Sequence, residues 1–323
     1  MEFSPDELRK GILECNRVAL SKAITLVESR HPDHRPLAEK LLNSLKEELE
    51  KRSSLRIAVT GIPGAGKSTF IGALGMKEIE KGKKVAVLAI DPSSPESHGS
   101  ILGDKTRMPL LAAHPHSFIR PSSSGGFWGG VHRSTYESIL ICEAAGFDCI
   151  FIETVGVGQN EWLVKYLCDV LLLLTVGGTG DEIQGIKRGI MEAADIIVIN
   201  KADGDQKNLT QQALRDLKSS VHLLPEPYPG WKVPVLPCSS LEKTGMEAIQ
   251  NEMDKFILHL KKLDVSIEKR REENRKKFFK FILGDWFAFE LEKNGKMEDW
   301  LKESPVAFPL WMVQKKIRNM IND

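Results

Sequence analysis

Residues 61 to 69 read Gly61-Ile62-Pro63-Gly64-Ala65-Gly66-Lys67-Ser68-Thr69, and their types and spacing suit binding of a polyphosphate. Glycines at 61, 64 and 66 free the backbone to turn its N–H groups inward around phosphate oxygens, where side chains would block the approach. The backbone of Ala65 and Thr69 belongs to the same cradle. Lys67 is placed to reach the β- and γ-phosphates, and the Ser68 hydroxyl to ligate Mg²⁺. An apolar strand-like run (Leu55, Ile57, Ala58, Val59) precedes the loop and a helical pattern follows it, which is the context a phosphate-binding loop requires.

A second motif selects the base. The apolar run from Asp195 to Ile199 ends in Asn200-Lys201-Ala202-Asp203, the Asn-Lys-x-Asp pattern of guanine readers. The Asp203 carboxylate can accept from both N1–H and the exocyclic amine of guanine, a pair that adenine does not offer. Asn200 and the Lys201 stem support the base and its loop. ATP is therefore expected to bind poorly. Ser239-Ser240-Leu241, after the strand-like Val233 to Cys238, fits the loop whose backbone N–H meets the guanine carbonyl.

Between the two motifs lie residues suited to metal and hydrolysis. The strand-like run 85–90 ends at Asp91, and the run 149–152 ends at Glu153-Thr154-Val155-Gly156. Both put a carboxylate at the carboxyl end of a strand, where open α/β sheets bind ligands. Glu153 takes the metal-side acidic position, and the Gly156 N–H can follow the γ-phosphate. The polar stretch 97–107, with Asp104, reads as a switch loop, as does Gly177-Gly178-Thr179-Gly180-Asp181-Glu182 leading to Lys187 and Arg188. Val157 stands where other GTPases carry a water-orienting glutamine, so hydrolysis by the isolated protein is expected to be slow. Glu153, Asp104 and Gln159 are candidates for positioning water, and Lys187 for steadying phosphate charge.

Strand-like runs at 56–60, 84–90, 117–119, 148–153, 169–176, 195–199 and 233–237 alternate with helical segments. That alternation argues for an α/β fold with a mostly parallel sheet covered on both faces. The phosphate-loop GTPase domain spans 53–264, with a helical N-terminal extension over 1–52 and a helical dimerisation region over 265–323. In the N-terminal extension Leu41, Leu45 and Leu49 recur at helical spacing, with breaks expected near His31-Pro32 and Arg35-Pro36. The charged helical run from Ser266 to Lys277 continues into apolar Phe278 to Phe289; such a helix has a face to bury, and a partner subunit is the expected place.

The composition sets bounds. The 323 residues, 41% of them hydrophobic, suffice for one large domain with additions. Lys plus Arg number 45 against 44 Asp plus Glu, so nothing points to nucleic acid. The longest apolar stretch, near Val170 to Val176, is too short to span a bilayer, and the acidic N-terminus lacks leader character, so a cytoplasmic protein with no membrane partner is expected. Five cysteines without C-x-x-C spacing read as reduced thiols, mostly buried.

Several longer segments together carry a family resemblance: 89–94, 99–108, 142–148, 153–159 and 180–187. They resemble the MeaB/ArgK family, which includes the methylmalonic aciduria type A protein, over roughly residues 50 to 264. The resemblance implies a homodimeric GTPase that binds GTP and GDP with Mg²⁺ and acts as a G-protein chaperone. Its implied partner is an adenosylcobalamin-dependent acyl-CoA mutase, usually methylmalonyl-CoA mutase, whose cofactor loading it gates and which it protects or reactivates. An older family label, an ATPase of amino-acid transport, fits poorly with Asn200 to Asp203. The chain departs from the family at Phe127-Trp128, Trp162, Tyr166 and Gly177, and the aromatics are candidate partner anchors or core fillers. Two other readings share the core: a metal-delivery GTPase using His114-Pro115-His116, and a scaffold that GTP locks without hydrolysis.

Overall fold

The computed structural model describes residues 3–29, 31–91, 107–123, 134–154, 161–178 and 188–283. Helices α1 (Pro5–Leu13), α2 (Arg17–Glu28), α3 (His34–Ser44) and α4 (Lys46–Lys51) precede strand β1 (Leu55–Gly61). Next come α5 (Lys67–Glu80), β2 (Val85–Asp91), α6 (Pro109–Ala113), β3 (Ser117–Ser123), α7 (Thr135–Ala144) and β4 (Cys149–Glu153). A 3₁₀ segment (Glu161–Leu167) leads to β5 (Val170–Val176), α8 (Arg188–Ala193), β6 (Ile196–Asn200), α9 (Lys207–His222), β7 (Val235–Pro237), α10 (Met246–Lys262) and α11 (Ile267–Leu283).

The chain forms two compact units, divided at Ser54/Leu55, His132/Arg133, Asp148/Cys149 and Asn274/Arg275. In the first, α1, α2 and α3 pack on one another and on α7. Leu8, Ile12, Leu20, Ile24, Leu41, Leu42 and Leu45 are buried at helical spacing. Ser4 and Asn16 cap α1 and α2 by accepting from backbone N–H groups in the first turns. Gly11 permits the approach of α1 to α2, because a Cβ there would lie 2.4 Å from the Ala19 Cβ. Pro36 does not break the chain as its residue type suggests. It sits in the first turn of α3, where its missing N–H has no partner to lose.

The second unit is a seven-stranded sheet of order β3-β2-β4-β1-β5-β6-β7, and every pairing among the described strands is parallel. Strands of Val, Ile and Leu buried on both faces form such a sheet because helices must cover the two sides. On one face Ile57, Val59, Phe151, Leu172, Leu174 and Val198 meet Phe70, Ile71 and Leu74 of α5 and Ile249, Met253 and Phe256 of α10. All seven strands occur where the alternation places them, and β3 runs past the expected 119 to Ser123.

The amino ends of β5 and β6 are closed by α11. Asp169 accepts from the Arg56 N–H at 2.8 Å and takes a bidentate hold from Arg271, at 2.8 Å from Nε and 2.6 Å from Nη2. Asp195 accepts from the Leu171 N–H at 2.9 Å and from Arg270 at 3.0 Å. Burial opposes the Arg270 charge, but Asp195 more than restores it and holds its pKa above the usual arginine value. Its guanidinium also lies 5.1 Å from the ring centres of Tyr228 and Phe256. Arg270 and Asn274 are buried against their own chain, so the first turns of this helix do not require a partner subunit to cover them.

Candidate functional site

Four strands bring the sequence motifs to the carboxyl edge of the sheet. β1 ends at Gly61, β2 at Asp91, β4 at Glu153 and β6 at Asn200, with β1 and β4 adjacent and β5 between β1 and β6. The glycines of the phosphate loop have different reasons to be glycine. Gly61 has φ 142°, and a Cβ there would lie 1.9 Å from the Leu174 carbonyl oxygen, so close packing on β5 demands it. Gly64 borders open space and is required only by its φ of 78°. At Gly66, φ is 83° and a Cβ would come within 2.9 Å of Asn200 Nδ2.

Lys67 opens α5 and is buried; its Nζ donates to the carbonyls of Gly61 and Ile62 at 2.9 and 3.1 Å, folding the ammonium under the loop. Ser68, also buried, donates from Oγ to Glu153 Oε1 at 2.7 Å. Hydroxyl and carboxylate thus meet between the first turn of α5 and the end of β4. Ala65 is buried within the loop, and Thr69 is exposed on α5.

The guanine motif is joined to its neighbours by Asn200. Its Nδ2 donates to the Ala65 carbonyl at 2.8 Å, while Oδ1 accepts from the Ser240 N–H at 3.0 Å and the Ser240 hydroxyl at 2.8 Å. Burial pushes the Cys238 thiol up to about 12, so it stays protonated and donates to the same oxygen at 3.5 Å. Asp203 Oδ2 accepts from Ser239 Oγ at 2.8 Å. This aims the carboxylate while the Ala202 N–H holds the Cys238 carbonyl at 2.9 Å. Lys201, at φ 61°, turns the chain and is exposed, as is Leu241. Phosphate loop, base-reading loop and the 239–241 loop are therefore one hydrogen-bonded assembly.

Asp104, Gly156, Gln159 and Lys187 lie outside the described residues, as do Trp128 and the side chains of Asp91 and Trp162. Tyr166 is half-buried in the 3₁₀ segment. His114 Nδ1 accepts from the His116 backbone N–H at 3.1 Å, and no cluster of three His, Cys, Asp or Glu side chains suited to a metal occurs among the described residues. Nor is any described helix long and apolar enough to cross a membrane. All five cysteines are free thiols, four of them buried. Two threonines escaped the motif reading: Thr60, just before Gly61, and Thr154, just after Glu153. Their symmetry as the flanking residues of two strand-end motifs is the signal that would have found them.

A parallel sheet with a glycine-rich loop before α5 and a stitched Asn-Lys-x-Asp motif defines a P-loop GTPase. A crystal structure described as a LAO/AO transport system kinase is similar over the whole of both chains, with TM-score 0.73 and 32% identity. The family model for the methylmalonyl-CoA mutase-associated GTPase MeaB matches residues 20–291, and the chain belongs to that family. It is 48% identical over 250 residues to a probable GTPase of Mycobacterium tuberculosis, covering 77% of this chain and 74% of that one. Its identity to the GTPase ArgK of Escherichia coli is 49% over 249 residues, 77% of this chain and 73% of that one. A mitochondrial methylmalonic aciduria type A homolog of Caenorhabditis elegans is 41% identical over 300 residues, covering 90% and 75%. The chain is a GTPase that binds GTP and GDP.

Proposed function

We propose that this GTPase is a chaperone of an adenosylcobalamin-dependent acyl-CoA mutase, with methylmalonyl-CoA mutase the expected partner, gating cofactor loading and protecting or reactivating the enzyme. The observation that carries this reading is family membership across residues 20–291, under a family description that is itself mutase-associated. The mitochondrial type A homolog points to the same partner class. The protein acts as a homodimer in the cytoplasm, with residues 265–323 as its dimerisation region.

In this reading the backbone of 61–69 and Lys67 hold the phosphates. Asp203 reads the guanine edge, while Asn200, Lys201 and the 239–241 loop keep it in register. Ser68 and Glu153, two hard oxygen donors 2.7 Å apart, fit Mg²⁺, and Asp91 and Asp104 complete its surroundings. Mg²⁺, when bound, draws charge from the phosphate oxygens. Glu153, Asp104 and Gln159 orient the attacking water, the Gly156 N–H follows the γ-phosphate, and Lys187 steadies its charge once a partner has ordered its loop. Val157 supplies no water-orienting group, so a partner that orders the loop through Lys187 accelerates turnover; such assistance is worth about a thousandfold or more where an arginine supplies it.

Steady-state GTP turnover with and without methylmalonyl-CoA mutase tests the proposal. A slow basal rate that rises with mutase concentration is expected, and Lys187→Ala should lose the rise while keeping the basal rate. A rate indifferent to the mutase, with no complex formed in either nucleotide state, would overturn the partner assignment.

A further inference from the structure

The metal-side carboxylate Glu153 is the last residue of β4, and the residue after it decides where that carboxylate can stand. In the parallel register Val59 pairs with Glu153, which sets Thr60 opposite Thr154. Side chains alternate along each strand. Phe151 and Glu153 therefore face α5, whereas Thr154 faces the other way with Thr60. The Thr154 N–H donates to the Val59 carbonyl at 3.1 Å, carrying the ladder one residue beyond β4. Its hydroxyl donates to Thr60 Oγ1 at 3.0 Å, and both side chains are shut off from solvent. Gly61 comes next on β1 and opens the phosphate loop. Among the described residues, the hydroxyl pair is the side-chain contact between β1 and the end of β4 that lies nearest the phosphate loop.

We propose that Thr154, paired with Thr60, is a positioning residue for GTP hydrolysis: the buried hydroxyl bond fixes the exit of β4 to the exit of β1, so that the Glu153 carboxylate stays on Ser68. The proposal rests on the reading of Ser68 and Glu153 as the metal-side pair. A valine in place of Thr154 keeps the β-branched shape and the strand propensity and removes the polar link to Thr60. What it loses is angular constraint on Glu153, while Lys67, Asn200 and Asp203 keep their partners. Displacement of a positioned group by about 1 Å can cost roughly a hundredfold in rate.

The experiment measures kcat, KM, the Mg²⁺ concentration for half-maximal rate and the melting temperature for wild type, Thr154→Val, Thr154→Ser, Thr60→Val and the double valine variant. Glu153→Gln serves as the control. Expected are a fall in kcat of about tenfold or more for Thr154→Val with KM nearly unchanged, a higher Mg²⁺ requirement, and rescue by Thr154→Ser. Thr60→Val should show the same loss from the other strand, and the double variant should be no slower than the slower single one. Rates are taken well below each melting temperature and normalised to bound nucleotide. Should Thr154→Val fail to fold, Thr60→Val carries the test alone. Two results would overturn the proposal: wild-type kcat and Mg²⁺ requirement in the valine variants, or a double variant that recovers both melting temperature and rate, as a purely structural bond predicts. If Glu153→Gln hydrolyses GTP normally, the metal-side reading itself fails; if it is inactive while the valine variants are normal, only the role of Thr154 does.

Discussion

Asn200→Ala should weaken GTP binding far more than it weakens the fold. Asn200 is buried and contributes one donor, to the Ala65 carbonyl at 2.8 Å, and one acceptor shared by the Ser240 N–H at 3.0 Å, the Ser240 hydroxyl at 2.8 Å and the Cys238 thiol at 3.5 Å. Alanine leaves a carbonyl and an N–H without those partners, each costing about 1–3 kcal/mol if it stays dry. In the nucleotide-free protein the loops can open and let water in, so little of this is felt by the fold. Bound GTP requires both loops closed, and the cost then falls on affinity. Taking the lower half of the range for two groups gives about 3 kcal/mol, roughly a hundredfold in Kd. Titration of fluorescent GTP against both proteins measures it, with thermal melting as the companion readout. Asn200→Asp keeps an acceptor for Ser240 but sets a buried carboxylate oxygen against the Ala65 carbonyl, so it should lose at least as much affinity as alanine. GTP affinity within twofold of wild type for folded Asn200→Ala would refute the reasoning.

Asp203→Asn should lose at least about tenfold in GTP affinity and gain xanthosine triphosphate binding, because the amide donates to the xanthine carbonyl and one charged acceptor for guanine is gone; competition titrations with the two nucleotides check this. Arg270→Ala should destabilise the protein by about 3–5 kcal/mol in urea unfolding, since Asp195 would remain buried without its main cation. Arg270→Met combined with Asp195→Asn should recover most of that loss. Glu78 provides a pH signature. Burial opposes its charge, but the Lys83 ammonium, 2.6 Å away, outweighs it and holds the carboxyl below the usual range. Its stabilisation is then present above the ordinary carboxylate pKa and is lost as pH falls through the depressed value. Melting curves of Glu78→Gln and wild type should converge toward low pH, and a constant difference would contradict the assignment.

The seven strands and the carboxyl-edge placement of both nucleotide motifs were legible in the sequence, because runs such as Ile196–Ile199 carry their burial in residue type and the phosphate loop carries its chemistry in local spacing. Lys67 needed only its neighbours to be understood, since its ammonium folds onto the Gly61 and Ile62 carbonyls. The partners of Asn200 were not legible: Ala65 lies 135 residues away and Ser240 lies 40, and only a sheet that sets β1, β6 and the 239–241 loop side by side brings them within hydrogen-bond reach. For the same reason the sequence did not show that a Cβ at Gly61 is also forbidden by the Leu174 carbonyl on β5. The partners that the charged run of α11 finds within its own chain were not legible either. Arg270 and Arg271 meet Asp195 and Asp169, which head two of the expected strand runs, and only the parallel sheet sets those two aspartates side by side under the helix. Local spacing encodes what a few adjacent residues do to a ligand; long-range pairing, which depends on the order of strands, decides which residues hold them there.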